Sequence, residues 1–238
     1  MPAKGTTIEA AIACAEFYKV CSIRDVTKEC LALRRSEAAW NAMVHIPLLR
    51  LAFTPQRQQR PPAVLFENAT AARILPCFLP ALSASAGSGV VDGKLIDFVL
   101  MPNLGPALDA TARDVLGPLL QRKPARTVAA AVADLCVNPT EYLPLQRFPV
   151  AVSIETKVAG ASAEEGRLQL AIWTAAWHNR MEQLGLGGRN GLFLPTLPLI
   201  LTHDHRWELF LAADRIDKIV SLFFSFLRTL FSKAHAYS

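Results

Sequence analysis

Charge is scarce in this chain of 238 residues. Asp, Glu, Lys and Arg make up 19% of it, against 52% hydrophobic residues. That balance excludes a self-repelling disordered chain and leaves enough apolar side chains for a sizeable core. Cysteines are few: Cys14, Cys21, Cys30, Cys77 and Cys136 are odd in number and form no C-x-x-C pair. Neither a disulfide framework nor a zinc ribbon is indicated, so reduced thiols in an intracellular protein, cytoplasmic or nuclear, are expected. No apolar run approaches the roughly 20 residues that span a bilayer, so no membrane partner is expected. Glu9, Glu16 and Lys19 interrupt the N-terminal segment, which is no secretory signal. No Gly-rich phosphate loop and no Ser-His-Asp arrangement stands out. The formal net charge of +5 permits a polyanionic partner without requiring one.

What is present reads as alternating helices and strands. Residues 7–20 predict a helix with Thr7 as its cap. Residues 27–53 predict a second, with a break or kink at Pro47. Residues 54–62 are a proline-rich polar loop, 70–76 a short helix ended by Pro76, and 83–89 a flexible turn. Residues 94–101 form an apolar run of β-formers interrupted by one acid, Asp97. A long insertion over 102–147 carries a basic cluster (Arg122, Lys123, Arg126) and an alanine-rich helix near 126–136. Residues 148–158 are the clearest strand. Ser162 and Glu165 make a capping box that opens an amphipathic helix running to about residue 184. Two strands follow, over 192–201 and 207–212, joined by His203-Asp204-His205-Arg206. The tail, 214–238, reads as a strongly apolar helix. This order predicts a mixed α/β core with an inserted segment.

The chemistry sits on two strands. Glu155 and Lys157, two apart, project to one face with Thr156 on the other. If the 94–101 strand pairs with theirs, Asp97 joins them. A lone carboxylate among apolar neighbours is costly, and a shared cation is one way to offset that cost. Two carboxylates suit a hard divalent ion such as Mg²⁺, and a lysine beside them, with a depressed pKa, can orient or deprotonate a water. Taken alone, an acid-x-lysine triplet equally fits a surface strand with a salt bridge. The apolar residues before it (Val150, Val152, Ile154) and the acid of the preceding strand favour a buried site. His203 and His205 fit a hairpin turn better than a metal site. His45, Trp173 and Trp177 read as core residues.

Several segments in order resemble the fungal PD-(D/E)XK nuclease-like domain family. They are Ser36-Glu37-Ala38-Ala39-Trp40-Asn41 with Val44-His45 and Pro47-Leu48-Leu49, then Thr70-Ala71-Ala72-Arg73-Ile74 and Lys94-Leu95-Ile96-Asp97-Phe98. Pro149 to Lys157, Leu168-Gln169-Leu170 with Trp173, and Leu194-Pro195 through Trp207 complete the series. The resemblance covers about 34–213. It implies an α/β fold with a restriction-endonuclease-like core, a mixed central sheet flanked by helices. An N-terminal helical extension (1–33) precedes that core and an apolar helix (214–238) follows it. It also implies catalytic roles for Asp97, Glu155, Lys157 and Gln169, and a metal set of Asp97, Glu155 and Glu37. A helix-surface glutamate and a polar residue at a helix–sheet boundary are the plainer accounts of Glu37 and Gln169.

The implied activity is a metal-dependent nuclease or phosphodiesterase using Mg²⁺ or Mn²⁺ on DNA or RNA. The same resemblance brings in arginine-containing cyclodipeptide synthases of secondary metabolism. These need no metal, and tRNA would then be the partner. A catalytically silent binding module is a third reading. The greasy tail, apolar on more than one helix face, suggests a homodimer through that helix.

Overall fold

A computed structural model of the protein describes residues 4–53, 62–80, 96–106, 110, 111, 114, 117, 118, 136–146, 148–186, 194–215 and 219–224. The turn at 83–89 and the basic cluster Arg122, Lys123 and Arg126 lie outside these residues, as does the alanine-rich helix up to Cys136.

Six strands form one sheet in sequential order: β1 (Val64–Asn68), β2 (Phe98–Pro102), β3 (Val152–Lys157), β4 (Leu197–His203), β5 (Arg206–Asp214) and β6 (Ile219–Phe224). Every neighbouring pair is antiparallel except β3 and β4, which run parallel. A parallel pair needs a crossover. Here it is made by a 21-residue helix, Ala163–Gln183, opened by Ser162, whose side chain accepts from the Glu165 N–H. Gly185 follows the helix with φ of 77°, a conformation that suits glycine.

This crossover helix covers one face of the sheet. Its Leu170, Trp173, Ala176 and Trp177 pack with Val99, Met101, Leu199 and Leu201 in the main core. The other face carries the N-terminal helices α1 (Lys4–Ala32), α2 (Glu37–Trp40) and α3 (Ile46–Phe53), which makes the crossover helix α4. Leu49 of α3 packs on Phe98, Leu100 and Ile154, while Trp40 and Val44 meet Cys30 of α1. β3, third of six strands and covered on both faces, is therefore almost wholly buried. That explains why its sequence reads so apolar apart from the residues of the site.

Four expectations are corrected. α1 is one helix to Ala32, with Thr7 inside it, because residues 21–26 contain neither glycine nor proline; the break falls at Arg34, whose φ is 47°. No break occurs at Pro47. A π turn, Asn41–His45, immediately precedes it, and this widened turn accommodates the missing proline N–H and ring. Residues 70–76 are not helical: Asn68 Oδ1 takes both the Thr70 N–H and its hydroxyl, Ile74 bridges Thr140, and only Pro76–Phe78 form a short 3-10 turn. Finally, 219–224 is strand β6 where a helix over 214–238 is expected. The edge of β5 offers unpaired backbone groups, and Ile219, Val220, Phe223 and Phe224 are β-formers. The rest of the apolar tail, 225–238, lies outside the described residues.

Candidate metal and catalytic site

The register of the sheet assembles the site. β2 and β3 pair from Phe98 against Ile154. One residue further in that register sets Asp97 across from Glu155. Asp97 lies just beyond the first residue of β2, where its N–H donates to the Ile154 carbonyl (3.0 Å) and its own carbonyl accepts from Ala69 (2.7 Å). Its Oδ2 accepts from the Thr156 N–H (3.0 Å) and hydroxyl (2.5 Å), continuing the ladder with a side chain after β2 has turned away. Among the described residues no group donates to Oδ1.

Asp97, Glu155 and Lys157 are 2%, 3% and 5% exposed. The Lys157 ammonium donates to Glu155 Oε1 and to the Thr156 carbonyl (3.1 Å). It also lies 3.6 Å from Oε2 of Glu37, which is one-third exposed and forms the open edge of the site. α2 delivers Glu37 there because Ser36 caps the helix at its start. From the opposite side α4 presses Gly166 against the pair. A Cβ on Gly166 would meet Leu201 Cδ1 at 2.6 Å and Lys157 Cγ at 3.2 Å. Leu201 is itself buried in the core and has little room to yield. Gly166→Ala is therefore expected to lose about 1–3 kcal/mol to overpacking, more than the roughly 1 kcal/mol that alanine gains in helix propensity. A lowered urea midpoint with an unchanged slope would show it.

The electrostatics follow from burial. Desolvation pushes the Glu155 carboxyl up to about 8, and the nearby Asp97 charge adds to the rise; the Lys157 hydrogen bond opposes it without prevailing. Burial pulls Lys157 down, yet its bond to Glu155 and the charges of Glu155, Glu37 and Asp97 outweigh that and hold it above the ordinary lysine value. The expected depression of Lys157 is thus reversed: three acids surround one ammonium. The buried site carries more carboxylate than Lys157 neutralises, and Glu155 answers by holding its proton.

Gln169, one turn along α4 from Gly166 and on the same face, has a buried Oε1 without a hydrogen-bond partner among the described residues. His45 is a core residue, as expected. Its ring lies against Trp40 and Trp207, with Nδ1 2.8 Å from Asn41 Oδ1 and Nε2 3.1 Å from the Asp204 carbonyl. Burial lowers its pKa. The residues of the turn, Asp204 and His205, join β4 to β5 as a tight hairpin. Asp204 has φ of 53°, and its N–H and Oδ1 bind the Lys157 carbonyl and the Ala159 N–H. Sequence reasoning missed this strut behind Lys157; an Asp in a two-residue hairpin turn, tolerant of positive φ, was the available signal.

Among the described residues no three of His, Cys, Asp and Glu converge as a metal-binding group. Glu37 reaches the site through Lys157 and does not complete a set of three acids. A cavity of about 300 Å³, lined in part by Arg167, Thr174 and Phe210, lies between α4 and strands β4 and β5. An open groove of about 640 Å³ lies between α1 and α3. Asp97, Glu155 and Lys157 line neither.

An acid at the start of one strand, an acid-x-lysine on its neighbour, and a helical crossover to a parallel strand are the parts of one recurring site. The model of the PD-(D/E)XK nuclease superfamily matches residues 6–230. The chain belongs to that superfamily. The match takes in α1 and β6, so it reaches beyond 34–213 at both ends. No curated protein and no solved structure matches the chain. The mixed sheet between helical layers is the α/β arrangement of a PD-(D/E)XK core, and no described helix is long and apolar enough to cross a membrane.

Proposed function

We propose that this PD-(D/E)XK chain hydrolyses phosphodiester bonds in nucleic acid with a divalent cation held by Asp97 and Glu155. The observation that carries the reading is geometric: the β2–β3 register sets the buried carboxylates Asp97 and Glu155 across from each other, with the Lys157 ammonium bonded to Glu155. The donor set fits a hard cation. Two carboxylates supply oxygens, Asp97 Oδ1 accepts no bond from the described residues, and Mg²⁺ commonly takes only one or two protein carboxylates, completing its shell with waters and phosphate oxygens. When bound there, Mg²⁺ or Mn²⁺ would polarise the phosphoryl oxygen and acidify a bound water. Lys157, kept protonated by its neighbours, donates to the phosphate and neutralises developing charge, a role that suits it better than that of base. Glu37 holds the ammonium from the open side. Gln169, whose carbonyl oxygen takes no hydrogen bond among the described residues, accepts from a water at the site and orients it from α4.

A second reading, a silent binding module, draws on one specific observation: Lys157 is already paired with Glu155, and Asp97 with Thr156. A cleavage gel separates the two. Labelled DNA and RNA, single- and double-stranded, are incubated with Mg²⁺ or Mn²⁺ and wild type, Asp97→Asn or Glu155→Gln. Cleavage by wild type alone is expected, reduced at least 100-fold in each variant. Intact substrate in every wild-type lane would reject the nuclease reading and leave the silent module.

A further inference from the structure

We propose that the groove between α1 and α3 binds single-stranded nucleic acid, with phosphates on Lys19 and Arg50 and bases on an apolar floor of Ile23, Leu51 and Phe66. The inference rests on the nucleic-acid reading above and gives that substrate a second place to bind.

Lys19 projects from α1 and Arg50 from α3, both exposed, and both line the groove. Neither forms an ion pair or side-chain hydrogen bond among the described residues. Two cations against one acid, Glu16, leave the described lining of the groove net positive toward an anionic ligand. Phe66 belongs to β1, the edge strand of the sheet, and is only half-buried. Unpaired cations above an aromatic and aliphatic floor match what a single strand presents, phosphates on one side and base faces on the other. A duplex keeps those faces stacked inside.

Glu37, at Lys157, and Arg50 belong to one helical run, Glu37–Phe53, so about 20 Å of rigid helix separates them at ~1.5 Å per residue. That span corresponds to about six nucleotides of a stacked strand.

The test is fluorescence anisotropy with labelled 12-nucleotide oligo-dT and oligo-U, in EDTA so that binding is read without cleavage. Lys19→Glu/Arg50→Glu is compared with wild type and with Arg24→Glu/Lys28→Glu. The control changes the same net charge about half a turn round α1, away from the face that carries Ile23, Val26 and Cys30. The groove variant is expected to bind at least about tenfold more weakly, with a log–log salt slope shallower by about 1.4. The control is expected to stay within about twofold. All four charges are on exposed side chains, and matching urea midpoints would confirm intact folding. No binding by wild type, an unchanged groove variant, or an equal loss in the control would each overturn the inference. Groove-dependent binding without cleavage in Mn²⁺ would sink the nuclease reading alone; cleavage with groove-independent binding would sink this inference alone.

Discussion

Lys157→Ala is expected to cost about 3–5 kcal/mol of folding stability at pH 9 and markedly less at pH 6. Among the described residues the ammonium is the only cation paired with Glu155, and it lies between Glu155 and Glu37, with Asp97 close by. Removing it strands buried carboxylates, and the penalty depends on how many are charged. At pH 6 Glu155, with its pKa near 8, holds a proton and tolerates the loss. At pH 9 the wild-type carboxylate is ionised against the ammonium; in the variant, which lacks the bond and charge that hold its pKa down, it must stay charged without that partner or take up a scarce proton, and either costs stability. The raised pKa of Lys157 keeps the wild-type ammonium charged at both pH values, so the difference arises in the acids. Urea unfolding at the two pH values measures it. Equal costs, or a cost below about 1 kcal/mol at pH 9, would show that Glu155 does not rely on Lys157.

Metal affinity carries the second large effect. Cation binding at Glu155 must displace the proton that burial and Asp97 keep there. Apparent affinity for Mn²⁺ is therefore expected to rise up to about tenfold per pH unit from pH 6 to 8, and to level off above. Calorimetry in buffers of different ionisation enthalpy should find close to one proton released at pH 7. The converse is expected of the metal-free protein. A carboxyl whose folded pKa is raised binds its proton more tightly in the native state, so stability falls as pH rises from the ordinary value of 4.5 toward 8. Glu155→Gln should remove a few kcal/mol of that slope. A pH-independent affinity, or a slope that survives Glu155→Gln, would contradict the assigned protonation.

Much of this arrangement was legible in the sequence because it is local. An acid inside 94–101 and an acid-x-lysine inside 148–158 can face each other only if the two strands pair, and antiparallel β2–β3 pairing supplies that. The Ser162 cap and the length of α4 also follow from local pattern. What stayed hidden depends on partners distant in the chain. β1 gives no alternating signal, since all five of its residues are half-buried at the sheet edge. β6 reads as a greasy helix until the free edge of β5 is known. Glu37 could be placed near the site from its motif, yet its contact is with the ammonium and completes no three-acid set. The direction of the Lys157 pKa was missed for a related reason. Burial of one lysine argues for a lowered value; three converging acids reverse it, and a count of neighbours from three elements is invisible in sequence.

The central claim is that Asp97 and Glu155 together form a cation site, and the most direct test is calorimetric titration of Mn²⁺ into metal-free protein at pH 8. The account predicts one saturable ion in wild type, lost in Glu155→Gln and in Asp97→Asn while both variants stay folded. No saturable binding in wild type, or binding that both variants retain, would contradict it.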